Sequence, residues 1–348
     1  MHISTTGGDV GYGEVVAKPF SDLTQRGQAR RLRSLAFDVL REYAIEPKRL
    51  RLLSNEWNGM FRVDTATGPK ALRVMRRDAP IAGQKVRSED EFVRALTAAT
   101  GIAPPAIVPT RTGKTFALAS APGVPGPRAC VLFDWLPGRQ LNDHIDAEHW
   151  RRLGGLMARM HEFALAWLPS PAFGAVRYTS VLAYEAPLVL FDSDRVDLLG
   201  MDRLLREAYD ITNERVATIM REQPHIVIHG DVHAGNVMVK GGVLTPFDWE
   251  DLLWGAPILD VATSLFYIRH RADYRQLAGA FRSGYERFRP WVETRPGEVD
   301  QLLVARGIDM LNFIALDASL HFDDMETYVR LRETPALVAV GALDPVIL

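Results

Sequence analysis

Residues 229–260 read HGDVHAGNVMVKGGVLTPFDWEDLLWGAPILD, and this stretch decides the predicted fold. Asp231 and Asn236 are five positions apart within it, and Asp248 follows twelve positions after Asn236. The run HIVI just before it and the runs NVMVK and VLTPF within it are typical of short β-strands, and the glycine pair 241–242 is typical of a hairpin turn. We therefore expect the loop that carries Asp231 to lead into a hairpin whose second strand places Asp248 beside Asn236.

Two carboxylates and an amide at this spacing match the chemical needs of phosphoryl transfer. Moving a phosphoryl group from a nucleotide to a hydroxyl requires a carboxylate at the acceptor and oxygen ligands that hold Mg²⁺ against the phosphates. We predict that Asp231 accepts or orients the hydroxyl proton. Asn236 and Asp248 are the predicted Mg²⁺ ligands, because Mg²⁺ binds a few protein oxygens and completes its coordination with water and phosphate.

The two histidines of this loop allow a different interpretation. His229, Asp231 and His233 form an H-x-D-x-H pattern that can gather ligands of a transition metal. A hydrolase site of that kind needs further His or Asp ligands downstream, and it leaves Asn236 and Asp248 without a role. The kinase-type interpretation is therefore favoured, and His229 is expected to orient the loop through hydrogen bonds.

The motifs HGD, HAGN, FDWED and WGAPILD together resemble the aminoglycoside phosphotransferase and choline kinase superfamily. Within it, the chain is most similar to homoserine-kinase-like and stress-response-kinase-like members. The resemblance implies an α+β, protein-kinase-like fold of two lobes, with a small antiparallel β-sheet in the N-terminal lobe and a mainly helical C-terminal lobe. It also implies that Asp260, at the start of a helix after Pro257, braces the catalytic loop.

The order of periodic segments predicts where the two lobes divide. Apolar residues at steps of three and four indicate a leading helix at about 21–45, short strands follow between residues 51 and 76, and a second helix covers about 85–100. We expect an N-terminal nucleotide-binding lobe at 1–135 and a C-terminal catalytic and acceptor-binding lobe at 136–348.

Several residues of the N-terminal lobe are predicted to bind the nucleotide. In the resembled enzymes a loop between the first two strands covers the phosphates, and Asn58 lies in the corresponding loop here. Arg73 stands where many relatives carry lysine, which keeps the charge but presents it as a planar fork. Glu89 shares the apolar face of the next helix and is the expected ion-pair partner of Arg73, with Glu91 as the alternative, because an unpaired buried charge is costly.

Two further predictions rest on position in the chain. The segment just after the last strand of the first sheet is expected to meet the adenine edge through its backbone, and it contains Asp134, Trp135 and Leu136. Acidic residues in the second half are the predicted acceptor-binding groups, namely Glu250, Asp251, Asp323 and Asp324. An acidic pocket favours an amine-bearing alcohol, such as an amino alcohol, an amino sugar or an aminoglycoside-like compound.

Composition narrows the classes of partner. The chain has 348 residues and a net charge of −2, so it carries no overall basic field that would attract nucleic acid or an anionic membrane. Its single cysteine, Cys130, rules out an intramolecular disulfide, and no apolar run approaches the roughly 20 residues needed to span a bilayer. We expect a cytoplasmic protein without nucleic-acid or membrane partners, and the sequence leaves the oligomeric state open.

These observations predict an ATP- and Mg²⁺-dependent phosphotransferase acting on a hydroxyl of a small molecule, with GTP as the alternative donor. A Ser/Thr protein kinase of the stress-response type is one alternative, although no A-P-E segment follows Asp248 and Trp249 replaces the Phe of D-F-G. A catalytically weak nucleotide-binding regulator is the other. The altered phosphate loop and Arg73 favour it, whereas the intact Asp231, Asn236 and Asp248 argue against it.

Overall fold

The computed structural model describes residues 18–55, 58–76, 79–194, 198, 200 and 202–316. The predicted acceptor residues Asp323 and Asp324 lie outside these ranges, so their placement stays a prediction.

An antiparallel sheet of six strands dominates the first part of the chain. Its strands are β1 (Arg49–Ser54), β2 (Gly59–Thr65), β3 (Gly68–Val74), β4 (Ile107–Val108), β5 (Ala117–Ala119) and β6 (Arg128–Asp134). They lie in the order β1-β2-β3-β6-β4, and β5 also pairs with β6. The predicted strands between residues 51 and 76 are present in this sheet as β1, β2 and β3.

Two helices cover opposite faces of this sheet. They are α1 (Gln25–Val39) and α2 (Ala79–Thr100). Cys130 and Leu132 of β6 pack in the cluster that contains the apolar face of α1, whereas Val131 and Phe133 pack on the side of α2. Alternate residues of a strand point to opposite faces, which explains why β6 is apolar along most of its length.

The leading helix is shorter than the predicted range of about 21–45. Thr24 caps its first turn by accepting a hydrogen bond from the backbone N of Gly27. After α1, residues Leu40–Tyr43 form a 3-10 turn, and Ala44 takes a left-handed conformation with φ of 58° that ends it. The prediction was wrong at both ends because a periodic apolar pattern does not distinguish a helix from the turns that flank it.

The second part of the chain is mainly helical. Its helices are α3 (Ala147–Ala166), α4 (Asp202–Glu222), α5 (Ile258–Phe266), α6 (Tyr274–Tyr285) and α7 (Glu298–Leu316). Two small sheets accompany them, formed by β7 (Arg139–Gln140), β8 (Val176–Arg177), β9 (Ile226–Ile228), β10 (Val237–Lys240), β11 (Val243–Pro246) and β12 (Leu253–Gly255). The strand orders are β11-β10-β7 and β8-β12-β9.

Packing follows the same division of the chain with one exception. Most of the largest core cluster comes from the helical part, including the buried Trp150 and Phe281, but Phe92 and Leu96 of α2 also belong to it. The helix α2 therefore joins the sheet to the helical part. The predicted α+β architecture, with a small antiparallel sheet followed by a mainly helical part, is confirmed, and the division of the chain at residues 135 and 136 stays a prediction. Within the described residues, every helix is too short or too polar to span a bilayer.

Candidate active site

The hairpin β10–β11 places the two predicted metal ligands side by side. Val237 pairs with Pro246 in its register, and the backbone N of Phe247 donates to the carbonyl of Asn236 at 2.9 Å. Asp248 follows directly, with a φ of 65°. A positive φ is uncommon for a residue other than glycine, and here it turns the chain out of the strand at the site.

Asp260 fixes the loop that carries Asp231. It lies in the first turn of α5 and is fully buried. Its Oδ1 accepts from the backbone N of Gly230 at 2.9 Å, and its Oδ2 accepts from the backbone N of His229 at 3.0 Å. His161 contributes a third contact, with Nε2 at 3.2 Å from Oδ2. One carboxylate thus satisfies two successive buried N–H groups of the loop.

The ring of His229 connects this loop to the hairpin. Its Nε2 lies 3.1 Å from the carbonyl oxygen of Phe247, and its Nδ1 lies 3.4 Å from the backbone N of Asp231. The carbonyl needs a donor, so Nε2 carries the proton and Nδ1 accepts. Burial lowers the pKa of His229 despite the nearby charge of Asp260, which favours this neutral form. The ring packs on Trp249, with centroids 4.4 Å apart.

The carboxylate of Asp231 is held on both sides. Its Oδ1 accepts from Nη2 of Arg306 at 2.7 Å, and its Oδ2 accepts from Nδ2 of Asn236 at 3.1 Å and lies 3.5 Å from Nε2 of His233. Burial tends to raise the pKa of Asp231, but the contact with His233 and the charge of Arg306 outweigh it, and the pKa lies below its usual value. Asp231 is therefore ionised and accepts hydrogen bonds.

Asn236 and Asp248 have the donor atoms that Mg²⁺ prefers. The amide nitrogen of Asn236 is engaged with the carbonyl and the carboxylate of Asp231, at 2.9 and 3.1 Å. Its Oδ1 is therefore the atom suited to a metal. The side chain of Asp248 is 43% exposed, and it presents a second hard oxygen ligand to the same space. Two hard oxygen ligands of this kind fit Mg²⁺.

Arg73 lies at the centre of a buried charge cluster. Its guanidinium pairs with Glu89, its Nη1 lies 3.2 Å from Oδ1 of Asp248, and its Nε lies 3.7 Å from Oε2 of Glu250. The guanidinium also stands 5.0 Å from the ring centre of Phe133. Burial opposes its charge, but the three carboxylates raise the pKa of Arg73 above its usual value. The arginine fork thus holds α2 and Asp248 together.

The pKa values of the acidic partners of Arg73 are set by two opposing effects, burial and the charge of the guanidinium. Although the side chain of Asp248 is 43% exposed to the cavity, its position deep between the surrounding elements reduces its solvation and raises its pKa to about 6 against the lowering effect of Arg73. Burial likewise raises the pKa of Glu250 to about 7. The alternative partner Glu91 points elsewhere, since its carboxylate accepts from the backbone N and the Oγ of Ser170 at 2.6 and 2.7 Å.

The predicted acceptor residues after Asp248 bond to the sheet and to α2. Both carboxylate oxygens of Glu250 accept from Nδ2 of Asn58 at 2.9 Å. Oδ1 of Asp251 accepts from the hydroxyl of Tyr184 at 2.6 Å and lies 3.3 Å from Nζ of Lys85. These carboxylates already have partners, and Glu250 is only 6% exposed.

The predicted adenine segment begins at the last residue of β6 in the first sheet. Oδ1 of Asp134 lies 2.6 Å from Nζ of Lys70, and Trp135 packs under the guanidinium of Arg62 at 4.7 Å. Leu136 follows them along the wall of the large cavity described next.

Two cavities meet at Asp231 and Asp248. The larger one, of about 1420 Å³, is lined by Arg73, Phe133 and the segment 134–136. The smaller one, of about 720 Å³, lies between α5, α7 and the turn that contains Tyr184. Asp231 and Asp248 line both cavities. The two cavities therefore adjoin at these two carboxylates.

The sequence model of the phosphotransferase enzyme family APH matches residues 49–292. The chain belongs to this family. The predicted resemblance and the predicted enzyme class are thereby confirmed. The match contains the whole stretch 229–260 on which the prediction was based. No curated protein shows a significant match to this phosphotransferase.

Solved structures of kinases share its fold. A microcompartment-associated aminopropanol kinase is 20% identical, with 88% of this chain and 96% of that chain covered and a TM-score of 0.71. An amicoumacin kinase in complex with AMP-PNP and Ca²⁺ is 17% identical, with coverage of 90% and 96% and a TM-score of 0.70. A thermostable mutant of an aminoglycoside phosphotransferase is 19% identical, with coverage of 87% and 98% and a TM-score of 0.62.

Sequence reasoning missed several polar residues of the smaller cavity. Arg306 and Asp309 of α7 line it together with Tyr184 and Tyr267. Arg306 lies 75 positions after Asp231 and pairs with Asp309 at a spacing of three. That spacing is typical of an ordinary pair on a helix surface, so no local signal distinguished Arg306 from the other arginines.

Proposed function

We propose that this phosphotransferase moves the γ-phosphoryl group of ATP to a hydroxyl of a small molecule. The meeting of two cavities at Asp231 and Asp248 is the observation that carries the proposal. The larger cavity is assigned to the nucleotide and the smaller one to the acceptor. The division of the chain into a nucleotide-binding lobe up to residue 135 and an acceptor-binding lobe after it belongs to the same proposal.

Residues on the nucleotide side have distinct roles. Arg73, held by Glu89, orders the phosphates, and the backbone of residues 134–136 binds the base. Asn58 acts indirectly, since its side chain holds Glu250 next to Arg73. ATP is the proposed donor, and a structurally similar amicoumacin kinase in complex with AMP-PNP supports it. GTP is tested beside it, because backbone groups can bind either purine.

The metal is proposed to be Mg²⁺, held by Oδ1 of Asn236 and the carboxylate of Asp248. When bound, it neutralises charge on the transferred phosphoryl group. The hydrogen bond from Asn236 to Asp231 also keeps the proposed metal ligand next to the proposed catalytic carboxylate.

Asp231 is proposed to act on the acceptor. It accepts a hydrogen bond from the reacting hydroxyl, whose oxygen bonds to the γ-phosphorus as the bond from phosphorus to the β,γ-bridging oxygen breaks. The hydroxyl proton passes to Asp231, and the leaving oxygen keeps the bonding electron pair. A carboxylate with a low pKa is a weak base. Its main contribution is therefore orientation, which suits a loose transition state with late proton transfer.

The shape of the acceptor cavity favours a small molecule over a protein segment. Its walls are formed by helices α5 and α7 and by the turn 183–186. Its volume, about 720 Å³, falls within the usual range for small-molecule sites. The similar kinases named for aminopropanol and amicoumacin support the same choice. A Ser/Thr protein kinase is the less favoured candidate.

The test measures ATP and GTP consumption with Mg²⁺ across amino alcohols, aminoglycosides, amino sugars, hydroxy amino acids and generic protein substrates. Wild type is compared with Asp231→Asn and Asp248→Ala. Acceptor-dependent turnover that both variants lose supports the proposal. Nucleotide binding without turnover of any acceptor, with both variants equal to wild type, would instead indicate a nucleotide-binding regulator.

A further inference from the structure

Arg306 places a guanidinium next to the proposed reaction centre on the acceptor side. Its Nη2 donates to Oδ1 of Asp231 at 2.7 Å and lies 3.3 Å from the hydroxyl of Tyr267. Its side chain is 20% exposed and lines the acceptor cavity. The oxygen of Asp231 that Arg306 occupies is one of the two to which an acceptor hydroxyl can donate.

A second carboxylate keeps Arg306 in place. Nη1 lies 3.3 Å from Oδ2 of Asp309, and the other oxygen of Asp309 accepts from the backbone N of Ala183 at 3.1 Å. Arg306 can therefore exchange its bond to Asp231 for another partner while Asp309 still balances its charge. Its buried Nε–H has no hydrogen-bond partner among the described residues. Such a group calls for an explanation.

The position of Arg306 restricts which substituents of the acceptor can lie next to the reacting hydroxyl. A hydroxyl within about 3 Å of Asp231, the usual reach of a hydrogen bond, lies only a few ångströms from the Arg306 guanidinium. A cationic substituent at that place meets a like charge. A carboxylate meets a planar fork that matches its two oxygens.

We propose that Arg306 recognises a carboxylate of the acceptor, which makes the substrate a small hydroxy acid with its hydroxyl one or two carbons from the carboxylate-bearing carbon. This inference rests on the proposed function and narrows its substrate class. The acceptor carboxylate replaces Asp231 as the partner of Nη2. It thereby frees Oδ1 of Asp231 for the hydroxyl, so recognition and activation of the site occur together.

The acidic residues that follow Asp248 in this cavity are already bonded to other side chains. Glu250 and Asp251 are engaged with Asn58, Lys85 and Tyr184. The acidic residues on which an amine-bearing acceptor was predicted are thus already paired where the structure describes them. An amine elsewhere on the acceptor is compatible with the proposal, since only the position next to Arg306 is restricted.

The test uses three pairs of compounds that differ only by a carboxylate. They are serine and 2-aminoethanol, threonine and 1-aminopropan-2-ol, and homoserine and 3-aminopropan-1-ol. ATP-dependent phosphorylation is followed by ADP release and product mass for wild type, Arg306→Met, Arg306→Lys and Arg282→Met. Arg282 is the control, because it forms a half-exposed ion pair with Glu286 on the surface of α6.

We expect kcat/KM to be roughly tenfold or more higher for the carboxylate-bearing member of at least one pair, because with the other member Nη2 of Arg306 stays bonded to Asp231 and Oδ1 is not freed for the hydroxyl. Arg306→Met should bring this ratio close to one. Arg306→Lys should keep part of the kcat/KM ratio between the two members of a pair. Arg282→Met should keep the whole ratio. Thermal unfolding and nucleotide binding of each variant show whether a lost preference for the carboxylate-bearing compound comes from changed specificity or from an unfolded protein.

Three results overturn the inference, and the third can be told apart from the first two. Turnover that favours the amines, or a carboxylate preference that Arg306→Met leaves unchanged in a folded protein, refutes the role of Arg306 while the proposed function stands. Absence of acceptor-dependent turnover with these pairs and with the wider panel refutes the proposed function and this inference together.

Discussion

Nδ2 of Asn58 lies 2.9 Å from both carboxylate oxygens of Glu250, although 192 positions separate the two residues in the chain. Both side chains are buried. The contact joins the loop after β1 to the segment after the proposed metal ligand Asp248. The pair Lys85 and Asp251 makes a second contact of the same kind. The segment 248–251 is thus held against the sheet and α2.

The contact between Asn58 and Glu250 predicts a measurable loss of stability. Asn58→Ala leaves a buried carboxylate without its amide donor, so we expect the free energy of unfolding to fall by about 1–3 kcal/mol. Urea unfolding measures it, with Asn142→Ala, at an exposed position, as the control. The double variant Asn58→Ala/Glu250→Gln should lose less than the sum of the single variants. Strict additivity would show that the two side chains do not interact.

Asp260 is predicted to be essential for placing Asp231. In Asp260→Asn, an amide group replaces one of the two oxygens that accept from His229 N and Gly230 N. We expect a loss of about 3 kcal/mol of stability and a fall in kcat of about 10²-fold, because small displacements of a catalytic group are costly. Asp273→Asn, at an exposed ion pair with Arg271, is the matched control. Unfolding and steady-state kinetics of both variants decide, and equal kcat values would refute the role.

We predict that lysine cannot replace the arginine at position 73 without loss of nucleotide binding. Arg73→Lys keeps the charge but cannot bond Glu89 and Asp248 as a planar fork, so we expect KM for ATP to rise by roughly tenfold. Arg73→Met leaves Glu89 buried and unpaired, which should cost about 3–5 kcal/mol of unfolding free energy. Nucleotide titration and urea unfolding test both effects. A lysine variant as active as wild type would show that only the charge matters.

The proposed metal ligands predict a specific change in Mg²⁺ dependence. Asp248→Asn removes an anionic ligand, so the Mg²⁺ concentration for half-maximal activity should rise by at least about tenfold, with kcat strongly reduced. Chelation of Mg²⁺ by EDTA should abolish wild-type turnover, and added Mg²⁺ should restore it. Asp192→Asn, whose side chain is 84% exposed, serves as the control. Unchanged Mg²⁺ dependence of Asp248→Asn would rule out this ligand.

Substitution by alanine is predicted to have opposite effects on stability at two glycines of α6. A Cβ on Gly284 would overlap the backbone oxygen of Arg151 in α3, whereas a Cβ on Gly279 meets nothing within 4 Å. Gly284→Ala must separate the two helices and should lower stability by about 3 kcal/mol. Gly279→Ala should raise it by up to about 1 kcal/mol, because alanine is the better helix former. Thermal and urea unfolding of both variants provide the comparison, and equal effects would contradict it.

The hairpin and the positions of the proposed metal ligands on it could be predicted because their determinants are local. The glycines after Lys240 set the turn, the register of β10 and β11 follows from it, and Asn236 and Asp248 take their places at its open end. Asp260 could be assigned because it belongs to the same continuous motif. The boundaries of α1 could not be predicted, since Thr24 and Ala44 end it through capping and a left-handed turn.

The sequence by itself determined the family, the fold class and the order of the elements that surround Asp231, because these depend on short motifs and on apolar periodicity. The tertiary structure alone decided which distant polar groups meet. Asn58 and Glu250, and Arg306 and Asp231, are brought together by the packing of the sheet and of α7 against one hairpin. Nothing in the neighbourhood of either partner specifies the other. Burial in a shared core selects such pairs, because a buried polar group without a partner is costly.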